Sequence, residues 1–270
     1  HVTNRTLMRI LRLNGVRKPI LTEEEIKQAT PLSGHKSPDW SVLYEHNGTI
    51  RETHIDVYTL SELTDFERAS IENAIRIINL IKDSKYMGFL QYYEANFDPK
   101  KPYAYIISET TGADAMNIEP QEENEIQPNG LISDFKEILI SLNHIHRLKI
   151  SHMDILPKNF YLVGKTHITI KLGGFGFAMT ADNSPQYFQV TRVMPAEMRF
   201  KPPEYFLRSY PVAARFASDI WMLCSSLLIF SLGLKQLPTV MDLSMYNYNK
   251  QLPTIQQLYD EANRVSKLPS

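Results

Sequence analysis

The stretch ISHMDILPKNFYL, Ile150–Leu162, followed by IKLGGFGFAM, Ile170–Met179, decides the reading of this chain. In the first piece Asp154 and Asn159 stand out from an apolar background around Pro157. In the second, Gly173, Gly174 and Gly176 surround Phe175. Upstream, LISDFKEILISLNHIHRL, Leu131–Leu148, has the spacing of an amphipathic helix that runs straight into the first piece.

Further upstream the pattern is that of strands. SVLYE, the Asn47-Gly48 turn and TIRETHIDVYTL read as a β-hairpin. A helix over about Thr64–Lys82 follows, with Phe66, Ile71, Ala74, Ile75, Ile78 and Ile81 on one face. FLQYYEANF and YAYIISE read as two more strands joined by a turn at Asp98–Pro102. Tyr92 and Tyr93 are adjacent in a strand, which predicts one ring toward the core and one toward solvent. The polar run Thr110–Gly130, with Glu119, Glu122, Glu123 and Glu125, reads as an exposed insertion.

The totals bound the class. The chain has 270 residues, 43% hydrophobic and 22% charged, which suits one or two packed lobes with a sizeable core. A formal net charge of −1 argues against nucleic acid as a bulk electrostatic partner. Cys224 is the sole cysteine, so no intrachain disulfide contributes, and no zinc-ligand spacing is present. His144 and His146, two apart on a helix, do not share a face. The apolar run Ile220–Leu234 is short for a membrane span and reads as a helix buried on all sides. No signal-peptide pattern is legible. At the start, Leu7, Ile10, Leu11 and Leu13 form an apolar stripe among Arg5, Arg9, Arg12, Arg17 and Lys18. That segment could meet a membrane or an acidic partner, or simply dock on the domain.

In order, the chain carries an amphipathic helix, HMDILPKN, a hairpin, GFG, RFKPPEYFLRS, and SDIW opening an apolar helix. Together these resemble the C-lobe of a eukaryotic protein kinase. The family's H-R-D-x-x-x-x-N pattern is met at His152, Asp154 and Asn159, with Met153 in place of arginine. The D-F-G position is Gly174-Phe175-Gly176, and A-P-E is Pro202-Pro203-Glu204. Asp219 falls at the aspartate that holds the catalytic loop. The resemblance implies an α+β, bilobal kinase-like fold: residues 1–30 a helical extension, 31–109 a β-rich N-lobe, 110–270 a helical C-lobe. It implies structural roles for His152, Phe175, Glu204 and Asp219.

The departures concern chemistry. Gly174 lacks the carboxylate that would hold magnesium, which wants hard oxygen ligands. The glycine-rich loop position reads HKSPDWSV, with His35, Ser37 and Trp40 at the glycine places; Pro38 has no amide hydrogen to offer a phosphate. No lysine lies between Lys36 and Lys82; Asp56 stands near the place of the family's strand lysine, and Arg51 is a substitute of different reach. Glu67 or Glu72 would be the helix glutamate. Leu156 replaces the catalytic-loop lysine. The retained Asp154 is either the base for a substrate hydroxyl or a carboxylate that satisfies backbone donors.

These losses lead to the expectation of a pseudokinase: not an enzyme, with no cofactor and no metal, scaffolding other proteins of unspecified identity. Two alternatives remain, an atypical active kinase using Asp154 and a metal-independent nucleotide sensor. The missing glycine loop also resembles secreted kinases of apicomplexan parasites. That likeness implies a soluble protein of a parasite vacuole or cyst compartment.

Overall fold

The computed structural model describes residues 39–46, 48–111, 128–164, 166–182, 200–202 and 212–232. The chain forms two compact units. One comprises His1–Ala113 with Tyr161–Gly176, and the other Asp114–Phe160 with Phe177–Ser270. The α+β class read from the sequence is the observed one.

The first unit is built on a four-stranded antiparallel sheet. Strand β1, Asp39–His46, pairs with β2, Thr49–Thr59, from His46 opposite Thr49 to Asp39 opposite Asp56. The turn works because Gly48 takes φ +77, where a Cβ is disfavoured. Helix α1, Asp65–Ile81, leaves the sheet, and the chain returns as β3, Tyr92–Asn96, and β4, Tyr103–Glu109. The sheet order is β1-β2-β4-β3, so the returning strands add to the far side of β2.

Helix α1 starts where the sequence provides a cap. The Thr64 hydroxyl accepts from the Glu67 amide at 3.2 Å, and Glu67 Oε2 accepts from the Thr64 amide at 2.9 Å. Two orphan donors are satisfied reciprocally. The buried face consists of Asn73, Ile75, Ile77, Ile78 and Ile81. Phe66, Ile71 and Ala74, expected on that face, are only half-buried, and Ile77 takes the deepest place. The β3–β4 turn forms at Asp98, whose carboxylate accepts from the Lys100 amide and whose carbonyl accepts from the Lys101 amide.

Strand β3 is shorter than the nine-residue stretch FLQYYEANF suggests. Phe89 bridges Leu172 in parallel, and the Leu90 amide donates to the Leu172 carbonyl at 2.9 Å. A register shift between Tyr92 and Glu94 then corrects the expectation for the tyrosine pair. Both rings are buried, at 7% exposure each. The bulge breaks the alternation that would send one ring to solvent. Tyr93 meets Tyr44 at 5.7 Å between centroids, and Tyr92 meets Phe175 at 6.0 Å.

In the second unit, helix α2, Pro128–Arg147, packs on helix α3, Val212–Leu232. Leu131, Phe135, Ile138, Leu142 and Ile145 recur at helical spacing and are all buried. Phe135 stacks on Phe160, and Phe230 meets both rings edge-on. Helix α3 begins seven residues before Asp219 rather than at SDIW. Nor is it buried on all sides. Ala217, Cys224 and Leu228 face solvent, while Ser218, Asp219, Met222, Leu223, Ser225 and Ser226 face inward. Buried serines are tolerable because Ser225 donates to the Trp221 carbonyl one turn back. The short strands β5, Phe160–Val163, and β6, Thr169–Leu172, form a separate two-stranded ladder, nearly all of it in the Tyr161–Gly176 segment of the first unit. Among the described residues no helix is long and apolar enough to cross a membrane.

Two stability measurements check these assignments. Thr64→Ala should cost about 1 kcal/mol in urea unfolding, the worth of a lost cap. The Tyr44 phenol donates to Glu94 Oε2 at 3.2 Å, and its pKa is pushed up to about 12, first by burial and then by the Glu94 charge. In the unfolded chain the same phenol titrates near ~10. Its contribution is therefore complete below about pH 10 and is lost as pH rises toward the folded value. Native protein should lose urea stability between pH 9 and pH 11 by about 1 kcal/mol or more, and Tyr44→Phe should flatten part of that loss.

Candidate active site

The loop Ile150–Asn159 leaves helix α2 in a conformation that its own sequence does not favour. Lys149 has φ +62 and Met153 has φ +67, both in the region L side chains rarely adopt. The loop is held there by Asp219 from helix α3. Its Oδ2 accepts from the His152 amide at 2.7 Å and its Oδ1 from the Met153 amide at 2.8 Å. Nε2 of His146 lies 2.8 Å from Oδ2. Asp219 has no exposed surface, so these three partners are what make a buried carboxylate tolerable there. One residue before His152, the loop is also tied by a two-way backbone bridge between Ser151 and Met179.

Within that frame the Asp154 and Asn159 side chains come together. Asn159 Nδ2 donates to Asp154 Oδ2 at 2.8 Å and to the Asp154 carbonyl at 2.7 Å. The His152 ring accepts the Asp154 amide at Nδ1, 3.2 Å away. Lys158 Nζ lies 3.8 Å from Oδ2, with its side chain 41% exposed. Lys201 Nζ lies 3.4 Å from Oδ1 and 3.0 Å from the Met153 carbonyl. One carboxylate thus faces two ammonium groups and an amide. Met153 is buried, its side chain replacing the family's arginine with apolar packing. Leu156 is buried against Phe200.

The glycine motif lies in the first unit, where its shape is dictated by tyrosines. Gly174 has φ +74, and its amide donates to the Tyr92 hydroxyl at 3.3 Å. A Cβ on Gly173 would sit 2.8 Å from both the Tyr92 hydroxyl and the Tyr161 ring. Burial raises the Tyr92 pKa, with Tyr161 adding to it, so this phenol stays protonated. Phe175 packs edge-on against Phe89 at 5.4 Å. The Gly176 carbonyl accepts from Asn73 Nδ2 of helix α1 at 2.9 Å.

The remaining sequence candidates are placed as follows. Asp56 lies on β2 with His54 Nε2 3.0 Å from its Oδ1. Arg51, on the same strand, reaches the Tyr93 hydroxyl. Glu67 serves the helix cap, and Glu72 is exposed. Trp40 pairs with Ile55 inside β1. His35, Ser37, Glu204 and the residue 1–30 segment lie outside the described residues. Lys171 pairs with Glu109 at 2.9 Å, an ion pair the sequence did not suggest. Asn73 and Lys201 also went unnoticed. The one available signal for Lys201 was a lysine next to the Pro202-Pro203-Glu204 position.

These side chains do not fit the magnesium site of the resemblance. No carboxylate stands at Gly174, and among the described residues no three His, Cys, Asp or Glu are grouped to hold an ion. What the loop offers is an acceptor for a hydroxyl proton, held in place and flanked by cations.

Comparison with known proteins gives the family. The protein kinase domain family matches residues 50–268. Serine/threonine-protein kinase Nek3 of Mus musculus is 33% identical over 147 residues, which cover 53% of this chain and 26% of that protein. Probable serine/threonine-protein kinase DDB_G0279405 of Dictyostelium discoideum is 26% identical over 166 residues, 60% of this chain and 22% of its own length. Serine/threonine-protein kinase ULK3 of Xenopus laevis is 28% identical over 123 residues, 44% of this chain and 25% of that protein. The chain therefore spans about a quarter of the length of these relatives. Their names overturn the expectation of a chain that is not an enzyme. That expectation counted groups missing at fixed sequence positions, whereas the relatives are named as kinases.

Removing the loop's support should be visible directly. Asp219→Ala orphans two buried amides and should cost about 3 kcal/mol or more in urea unfolding. Amide exchange at His152 and Met153 should speed up well beyond that of the α2 core.

Proposed function

The chain belongs to the protein kinase domain family, and from that premise we propose that it transfers the γ-phosphoryl group of ATP to serine or threonine hydroxyls of proteins, with Asp154 as the residue that receives the hydroxyl proton. The observation that carries this reading is the held carboxylate. Asp154 is 4% exposed, its Oδ2 is fixed by Asn159 Nδ2 at 2.8 Å, and its backbone is fixed through its amide and carbonyl. Phosphoryl transfer asks a protein mainly for positioning and for charge to offset the transferring group. A carboxylate so placed orients the attacking hydroxyl.

The electron pair of the substrate oxygen forms the new bond to phosphorus. The bond from phosphorus to the ADP oxygen breaks, and the hydroxyl proton passes to Asp154. Lys158, partly exposed and 3.8 Å from Oδ2, is the loop cation that an approaching phosphoryl group can meet. With Lys201 it gives the three side chains a summed charge of +1 when ionised, which favours an anion at this loop. Magnesium enters no step of this account, because the residues present do not fit the family's metal ligands.

The experiment is transfer of labelled phosphate from ATP to a serine- and threonine-containing peptide mixture, with magnesium, with manganese and with chelator. The native chain should label the peptides. Asp154→Asn, nearly the same shape without the basic oxygen, should lower turnover by about 10²-fold or more when assayed at a temperature where circular dichroism shows the variant folded. Native chain that labels nothing under all three conditions, or Asp154→Asn that labels equally well, would overturn the reading.

A further inference from the structure

At the position where the resemblance calls for a catalytic-loop lysine, this chain has Leu156, 1% exposed. Leucine cannot carry charge, but it packs with Phe200, which is 4% exposed. The residue after Phe200 is Lys201, itself 2% exposed. Its ammonium reaches back to the loop that Leu156 belongs to, 3.0 Å from the Met153 carbonyl and 3.4 Å from Asp154 Oδ1.

A lysine this deeply buried needs an opposite charge and acceptors to offset its lost hydration. Asp154 supplies the charge and Met153 the acceptor. The two halves of the arrangement depend on each other. The apolar contact of Leu156 with Phe200 sets the downstream segment on the loop, and that contact places the neighbouring lysine beside the carboxylate. A lysine at 156 would disrupt the contact.

We propose that Lys201 is the positioning residue of Asp154, restoring from 47 residues downstream the cation that the loop lost at position 156. The proposal rests on the reading of Asp154 given above. Asn159 fixes one carboxylate oxygen and Lys201 the other, so rotation of the group is stopped from both sides. Lys201 also holds the carbonyl of Met153, whose amide Asp219 holds. The left-handed residue just before Asp154 is thereby clamped at both of its backbone polar groups.

The test uses the full chain and two kinds of readout. In the peptide assay, Lys201→Met should lower kcat about tenfold or more, with KM for ATP and peptide within about twofold, and Lys201→Arg should recover part of the loss. Lys201→Met also leaves buried Asp154 with only the partly exposed Lys158 nearby, and that loss of charge can unfold the loop. Amine acetylation of the native chain, read by mass spectrometry, needs no such variant. Lys201 should label at least about tenfold more slowly than exposed Lys85 and Lys149, and Asp154→Asn should speed Lys201 selectively. Native turnover with Lys201→Met equal to native in kcat would overturn the role of Lys201 and leave the Asp154 reading standing. Native chain without turnover would overturn that reading, and the positioning role with it. Lys201 that labels as fast as Lys85, or that ignores Asp154→Asn, would overturn the pairing whatever the turnover.

Discussion

A single buried carboxylate sets the geometry of the loop. Asp219 holds two consecutive amides, those of His152 and Met153, in a conformation that a methionine would not choose. Because the carboxylate has no water to turn to, it cannot release those amides cheaply. His146 from helix α2 meets the same oxygen that binds the His152 amide. Two helices and a loop are thus joined at one atom pair. Every property of Asp154 described above depends on that joint, since Asp154 follows directly from Met153.

Charge around Asp154 is organised by position rather than by residue type. The loop gives up a lysine at 156 and an arginine at 153, and in exchange it gains apolar packing at both places. Cations come instead from Lys158 and Lys201, one partly exposed and one buried. The buried ammonium sits where solvent cannot screen it, so its field on the carboxylate is stronger than that of an exposed neighbour. The glycine motif shows the same trade. A positive φ at Gly174 and the crowding of Gly173 by Tyr92 and Tyr161 favour residues without side chains at both positions.

The sequence discloses most of the local structure, because local structure rests on local chemistry. Gly48 makes its turn, Thr64 and Glu67 make their cap, and Asp98 closes its loop through groups two or three residues away. The periodicity of Leu131–Leu148 likewise gives the buried face of helix α2. The features that escaped notice depend on distant partners. Both tyrosines of β3 are buried because a bulge shifts the register, which alternation alone does not encode. Helix α3 starts at Val212 because Val-Ala-Ala-Arg extends it backward from the motif. Asn73 finds the Gly176 carbonyl 103 residues away. Lys201 is the costliest omission. Counting groups lost at the glycine-loop position, at the strand lysine and at 153, 156 and 174 led to the expectation of a chain that is not an enzyme. A count by position has no way to register a cation that arrives from another segment.

The two compact units do not follow the order of synthesis. The first takes Tyr161–Gly176, including Leu172, which bonds Leu90 and Gly88 across more than eighty residues of chain. A ribosome delivers residues in order, and domains generally fold as they emerge. Here the β-rich unit must wait with Phe89 and Tyr92 lacking Phe175 until the loop that belongs to the other unit has been made. The nascent chain therefore passes through a stage with its strands present and their last apolar partner still missing, a stage at which a chaperone has most to hold.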